Sequence, residues 1–329
     1  MKTLASQRVD AHLHVWDLDR SDYGWLTPDL GELYSTFTPE QARVQLDACQ
    51  IGQAILVQAE DSERDTELML DVARQHPWVV GVVGWVRLDE PETAQEQLDR
   101  WQEHRAFCGV RHLVHDDPRA DFLALARVRR SLRVLAERGV PFEVPNAWPQ
   151  HLAATAELAA ALPELRIVVD HLAKPPFGSP DWARWRRALA DVAAHPSTTA
   201  KVSGLQVPGL PFTVEELRPA WETALELFGP ERLMWGSDWP LTILVDGYVG
   251  TWAVMSRLVD ELSDAEQSML MAGTARSVYQ LERGRPMSRR TIAGDNGVAT
   301  KYPDGRQSID ASKAHSYTPE KSISEEQSC

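Results

Sequence analysis

Four side chains that could carry acid–base or metal chemistry stand at the ends of apolar runs: His12, His14, His171 and Asp238. His12 and His14 lie two residues apart in RVDAHLH. Because strand side chains alternate between faces, this spacing predicts that both project from one face, together with Asp10. Imidazole and carboxylate groups can move protons, polarise a carbonyl or bind zinc. The residues therefore predict a functional site, and a pair of buried, hydrogen-bonded structural histidines is the alternative.

The elements that must position these residues follow a repeated pattern of short apolar runs and amphipathic helical stretches. Eight runs read as strands: RVDAHLH from Arg8, QAILVQ from Gln53, VVGVVGWV from Val79, GVRHLV from Gly109, PFEV from Pro141, RIVVDH from Arg166, TAKVSG from Thr199 and RLMWGSD from Arg232. Eight strand–helix units predict a (β/α)8 barrel, an α/β TIM barrel over residues 1–283. An open doubly wound sheet is the alternative, but no GxGxxG follows the first run.

The barrel prediction brings the four residues together. His171 ends the sixth run and Asp238 ends the eighth, so both are expected at the carboxyl ends of strands, where TIM barrels carry their catalytic groups. In a closed eight-stranded barrel the first and eighth strands are neighbours. Asp238 is therefore expected beside His12 and His14.

Composition narrows the classes of function. The net charge of −14 argues against a nucleic-acid or anionic-membrane partner. The sequence has no membrane-length apolar run and no secretion signal, and Cys49, Cys108 and Cys329 form no CxxC pair, which favours the cytoplasm. Residues 284–329 are polar and aperiodic, which predicts a disordered tail, with a docking segment as the alternative. The sequence does not decide whether the protein forms a homo-oligomer.

Several motifs give the sequence a family resemblance. They are DAHLHVWD, YGWL, LVQAEDSERDTELML, GVVGWVRLD, GVRHLVHDDP, VDHLAKP, KVSGL and GPERLMWGSDWP. In this order, from Val9 to Leu281, they resemble the amidohydrolase superfamily, in its L-fuconolactonase-like group of sugar lactonases. The resemblance implies a TIM barrel and a small-molecule lactone as substrate.

The sequence departs from the superfamily's usual two-metal pattern. Strand four offers Arg111 and His112 but no lysine, and strand five has Glu143 where the resemblance implies a histidine. These differences argue against a two-metal centre and predict that no cofactor is required. One weakly bound Zn²⁺ on His12, His14 and Asp238 is the alternative, since imidazole and carboxylate are zinc ligands.

The predicted mechanism is hydrolysis of a lactone ring. Asp238 would act as general base on water, while His171, His12 and His14 would polarise the carbonyl. No GxSxG elbow supports an acyl-serine route. The predicted substrate-binding residues at the barrel mouth are Trp25, Gln58, Trp85, Arg111, His112, His115, Glu143 and Lys174.

Three alternatives to a sugar aldonolactone hydrolase remain. Arg111 and Lys174 could bind a carboxylate, which would favour a pyrone- or muconolactone-type substrate. A zinc-dependent decarboxylase of the same fold and a non-catalytic binding barrel are the other two.

Overall fold

The computed structural model of the chain describes residues 8–207 and 209–281. Within them, the predicted strands form one parallel eight-stranded sheet in chain order. The strands are β1 (Val9–Leu13), β2 (Gln53–Val57), β3 (Val79–Gly84), β4 (Phe107–Arg111), β5 (Phe142–Val144), β6 (Ile167–Val169), β7 (Thr198–Val202) and β8 (Leu233–Trp235). The predicted (β/α)8 barrel is confirmed.

Backbone contacts just beyond the strands join β8 to β1. Leu13 and Trp239 form a parallel bridge. The Asp238 amide donates to the His12 carbonyl at 2.8 Å, and the His14 amide donates to the Trp239 carbonyl at 2.8 Å. These hydrogen bonds set Asp238 beside the two histidines of the first strand, as the barrel prediction required.

Helices follow the strands around the barrel. They are α1 (Pro39–Ala48), α2 (Glu63–Gln75), α3 (Pro91–Trp101), α4 (Ala126–Glu137), α5 (Leu152–Ala161), α6 (Trp182–Ala193), α7 (Val214–Phe228), α8 (Gly247–Val259), α9 (Asp264–Ser268) and α10 (Thr274–Tyr279). Among the described residues, no helix combines the length and apolarity needed to cross a membrane. The predicted tail at 284–329 lies outside the described residues.

Two apolar clusters stabilise the barrel. The larger one fills the space between the sheet and the surrounding helices. The smaller one joins side chains of six strands to three residues of α10, and its buried members are Val9, Ala11, Ile55, Val57, Val83, Cys108, Val168, Met234, Ala275, Val278 and Tyr279. Strands of a parallel barrel are buried on both faces, which explains why their sequences are almost continuously apolar.

The prediction that Asp10 shares a face with the two histidines is wrong. The pairing register of β1 with β2 shifts between Asp10 and Leu13, so simple alternation fails there. The Asp10 carboxylate accepts hydrogen bonds from the Ser237 amide at 2.9 Å and the Tyr248 hydroxyl at 2.9 Å. Asp10 therefore joins β1 to the start of α8 and to the segment after β8.

Candidate active site

A pocket opens at the carboxyl ends of the strands. It encloses about 600 Å³, counting the open space at its mouth. Its walls come from the end of β4 and from the segments that follow the strands, and its lining residues are His14, Trp16, Trp25, Ala59, Arg111, Leu113, His115, Asp116, Pro145, Asn146, His171, Lys174, Asp238 and Leu241. This is the end of the barrel at which TIM-barrel enzymes carry out their chemistry.

Asp238 lies at the centre of the polar groups on the pocket floor. Its Oδ1 atom is 3.4 Å from His14 Nε2, 3.7 Å from His12 Nε2 and 3.9 Å from His171 Nε2. Its Oδ2 atom accepts a hydrogen bond from Gln206 Nε2 at 3.1 Å. The structure thus brings together the four predicted catalytic residues around one carboxylate oxygen, and all four are buried.

The outer nitrogens of the imidazoles are held by fixed partners. His14 Nδ1 lies 2.8 Å from the Val57 carbonyl, which can only accept, so Nδ1 donates. A neutral His14 therefore carries its lone pair on Nε2, which faces Asp238 and His12. His171 Nδ1 lies 2.9 Å from the Ser203 hydroxyl. Such partners orient the rings towards a common point.

Burial and local charge set the protonation states at the floor. Burial lowers the pKa of His171 to about 3 and also lowers the pKa of His14. Burial would by itself raise the pKa of Asp238, but His171, His14 and Lys174 hold it well below its usual value. The carboxylate is therefore ionised at neutral pH while the imidazoles beside it are uncharged.

Backbone geometry after β6 and β7 aims these side chains. His171, Leu172, Ala173 and Lys174 all have positive φ, between 49° and 62°, so they form a left-handed turn. Gly204 has φ +56°, and a Cβ there would lie 2.3 Å from His171 Nδ1 and 2.7 Å from Asp238 Oδ2. Only glycine lets the chain approach the two side chains this closely.

A buried ionic network lies beneath the histidines, and the sequence reasoning missed it. Lys201 Nζ donates to Glu143 Oε2 at 2.7 Å and lies 3.3 Å from Asp170 Oδ1 and 3.2 Å from His12 Nδ1. Tyr279 of α10 donates to Glu143 Oε1. Lys201, Glu143 and Asp170 have no exposed surface. A lysine inside an apolar strand was the available signal, because a buried charge requires a partner.

Of the predicted substrate-binding residues, four line the pocket: Trp25, Arg111, His115 and Lys174. Arg111 is largely engaged by the protein, because its guanidinium donates to Asp170 at 3.2 Å and to the Gln58 carbonyl. Lys174 Nζ donates to the Gly204 carbonyl at 2.6 Å. Asn146 and Asp116 also line the pocket and were not among the predicted binding residues.

The other four predicted binding residues do not line the pocket. Glu143 lies in the buried network, and Gln58 donates to Asp61 at 2.8 Å. His112 lies 2.9 Å from Asp61, and its ring is 3.2 Å from Trp85 Nε1. These four residues therefore contact other side chains of the protein, and strand patterning alone does not distinguish such contacts from contacts with substrate.

The floor has a donor set that fits one divalent cation. Ligand atoms of His12, His14 and Asp238 all lie within 4.8 Å of one another. Imidazole nitrogen and carboxylate oxygen suit Zn²⁺. Two cationic groups oppose tight binding, since Arg111 Nη1 is 3.4 Å from His12 Nε2 and the Lys201 ammonium contacts the same ring.

Comparisons with known proteins agree with this architecture. The amidohydrolase family model matches residues 9–281. The L-fucono-1,5-lactonase of Burkholderia ambifaria is 30% identical over 84% of this chain and 96% of its own length. The L-fucono-1,5-lactonase of Burkholderia multivorans is 31% identical over 84% of this chain and 97% of its own.

A solved structure adds a similar fold. The crystal structure of an amidohydrolase from Burkholderia multivorans with bound zinc has 30% identity and a TM-score of 0.73, covering 83% of this chain and 99% of that one. The family model and the relatives together span the barrel and its floor. The chain belongs to the amidohydrolase family and is an enzyme of the hydrolase class.

Proposed function

We propose that this enzyme hydrolyses the ring ester of a sugar aldonolactone, of the L-fucono- or L-rhamnono- type. The observation that carries the proposal is the ionised Asp238 carboxylate, with three imidazole Nε2 atoms within 3.9 Å, at the floor of an open pocket. The two relatives named L-fucono-1,5-lactonase, at 30% and 31% identity, support this substrate class.

The residues at the floor supply the steps of ester hydrolysis. A water molecule attacks the lactone carbonyl carbon while Asp238 accepts its proton. His12 accepts from the Lys201 ammonium at Nδ1, so its proton lies on Nε2 and can stabilise the negative charge that develops on the carbonyl oxygen. His171 can do the same when the Ser203 hydroxyl donates to its Nδ1 atom. The ring C–O bond then breaks, and the leaving alkoxide takes the proton back from Asp238. The product is an open-chain hydroxy acid.

A divalent cation held by His12, His14 and Asp238 would polarise the carbonyl and make water more acidic. This chemistry would complement Asp238, whose low pKa makes it a weak base by itself. We propose that the cation is not required, because Lys201 and Arg111 already place positive charge beside His12.

The charges of the pocket favour a neutral substrate. The guanidinium of Arg111 is paired with Asp170, and the pocket wall carries the carboxylate of Asp116. A substrate rich in hydroxyl groups can bond to such carboxylates without repulsion, whereas a dicarboxylate meets the negative field of the protein. Trp25 offers an apolar face for the C–H side of a sugar ring.

Lys174 favours a second candidate function, the hydrolysis of a lactone that carries a carboxylate. Its ammonium lines the pocket and donates a hydrogen bond to the Gly204 carbonyl. Burial lowers the pKa of Lys174, so its charge would gain from a substrate carboxylate. The kcat/KM for a neutral aldonolactone and a pyrone dicarboxylate, compared at two ionic strengths, separates the two candidates.

The test of the proposed function is Asp238→Asn, assayed on a lactone panel with a pH-indicator readout. We expect kcat/KM to fall at least about a hundredfold with the fold retained, the scale for a lost general base. Asp260→Asn, an exposed change at the end of α8, is the matched control and should keep full activity. Near-normal turnover by a folded Asp238→Asn enzyme would remove the base assignment, and an inactive wild-type enzyme on the whole panel would reject lactone hydrolysis.

A further inference from the structure

Two polar atoms in residues of the pocket wall are buried without a hydrogen-bond partner. They are Oδ1 of Asn146 and Nδ1 of His115, and both residues line the pocket. Buried polar atoms in native proteins are almost always satisfied by protein, water or a bound molecule. Neither atom has accessible surface, so a molecule in the pocket can contact these side chains only through their other polar atoms, Asn146 Nδ2 and His115 Nε2, the second of which lies 3.6 Å from Asp116 Oδ2.

Asn146 is fixed in place by its backbone. It follows Val144 and Pro145 at the end of β5 and has φ +46°, a left-handed conformation that asparagine tolerates better than most residues. Its loop is joined to the turn after β6, because the Trp148 amide donates to the Ala173 carbonyl at 3.1 Å. The amide is therefore presented to the pocket by a constrained segment.

His115 is fixed by a clamp in the loop after β4. Both ring nitrogens of His112 contact carboxylates, with Nδ1 at 2.9 Å from Asp61 and Nε2 at 3.2 Å from Asp117. The Leu113 amide also donates to Asp61 at 3.0 Å. This clamp holds the chain just before His115. Burial lowers the pKa of His115, so its imidazole is neutral, and the Asp116 carboxylate beside Nε2 adds an acceptor that suits a hydroxyl group.

The position and chemistry of the two side chains point to one kind of ligand group. In the ring of eight strands, β4 and β5 lie opposite β8 and β1, which carry Asp238 and the histidine pair. A neutral amide and a neutral imidazole offer donors and acceptors without charge, which matches a hydroxyl group rather than a carboxylate. We propose that Asn146 and His115 form a hydroxyl-binding subsite that reads a ring or side-arm hydroxyl of the lactone, an inference that rests on the proposed function.

The test combines enzyme variants with substrates that lack single hydroxyls. Asn146→Gly removes the amide and keeps a residue that accepts positive φ, so folding should survive. We measure kcat/KM for an aldonolactone and for each of its monodeoxy analogues. In the wild-type enzyme, at least one analogue should lose about 10- to 100-fold, because a missing hydroxyl leaves polar groups unpaired. In Asn146→Gly, the kcat/KM values for that analogue and for the parent lactone should differ by no more than about threefold.

His115→Gln, with His104→Gln as its matched control, tests the second member. His104 lies before β4, at the opposite end of the barrel from the pocket, so its variant should keep the wild-type pattern. If every monodeoxy penalty is the same in Asn146→Gly and His115→Gln as in the wild type, the subsite is wrong while lactone hydrolysis stands. If the wild-type enzyme opens no lactone at all, both proposals fail together.

Discussion

Lys201→Met tests whether the buried network supports the barrel. The substitution keeps an unbranched side chain of similar length and removes the ammonium that contacts Glu143, Asp170 and His12. Asp170 still has the Arg111 guanidinium at 3.2 Å, so Glu143 is the carboxylate that loses more of its neighbouring positive charge. Burial and the Asp170 charge already raise the pKa of Glu143 to about 7. Without the ammonium that pKa should rise further.

The size of the effect follows from burial. Removing one partner of a fully buried ion pair costs about 3–5 kcal/mol of unfolding free energy. For a large domain each kcal/mol shifts Tm by roughly 2–4 °C, so Tm should fall by roughly 6–20 °C. A folded-state pKa that is raised means stability present at low pH and lost as pH rises through the folded value. The deficit of Lys201→Met should therefore be larger at about pH 8 than at about pH 5, because above about pH 7 the wild-type Glu143 ionises beside the ammonium while that of the variant stays protonated.

Urea and thermal unfolding at both pH values measure the effect. Glu143→Gln in the Lys201→Met background should recover about 1–3 kcal/mol, because it removes the unpaired carboxylate. The matched control is Arg218→Met, which breaks an exposed ion pair with Glu261 of the same 2.7 Å length and should leave stability unchanged. A Lys201→Met protein that is as stable as the wild type, or a double variant with no recovery, would refute the reasoning.

Two further predictions concern the site itself. Gly204→Ala should lower kcat/KM about a hundredfold, because a Cβ 2.3 Å from His171 Nδ1 must displace the imidazole ring beside Asp238. Steady-state kinetics of the folded variant measure this, and unchanged kinetics would mean that the loop moves without disturbing the ring. Treatment with a strong chelator should leave most activity in place, since Lys201 and Arg111 oppose a tightly bound cation beside His12. Activity and zinc content measured together decide the point, and loss of activity that zinc restores would contradict it.

Residues at strand ends were the part of the site that the sequence could predict. His14, His171 and Asp238 each follow an apolar run, and the carboxyl ends of parallel strands meet at one edge, so topology alone brings them together. The same logic failed for Glu143, which lies within β5 rather than at its end and faces Lys201. Whether a strand residue faces the pocket or the barrel interior depends on its position along the barrel axis. That position is set by the stagger between neighbouring strands, which the apolar periodicity of a sequence does not show.

Local irregularities account for the other differences. The shifted register in β1 turns Asp10 towards Ser237 and Tyr248, and strict alternation cannot reveal such a shift. Lys201 could have been noticed as a charge within a buried strand, yet its partner Glu143 lies 58 positions away in the chain. Pairing the two requires the closed barrel, because nothing local to either residue connects them.

The left-handed turn at residues 171–174 has a consequence for redesign. Four consecutive residues without a glycine hold a conformation that L-amino acids avoid, so packing around the turn must overcome a cost of roughly 1–2 kcal/mol per residue. His171 at one end contacts Asp238, and Lys174 at the other lines the pocket. The two side chains are carried by the same four-residue turn, and no glycine separates them. A change selected for a new substrate contact at Lys174 will therefore also alter the alignment of His171, and selectivity and rate will have to be optimised together.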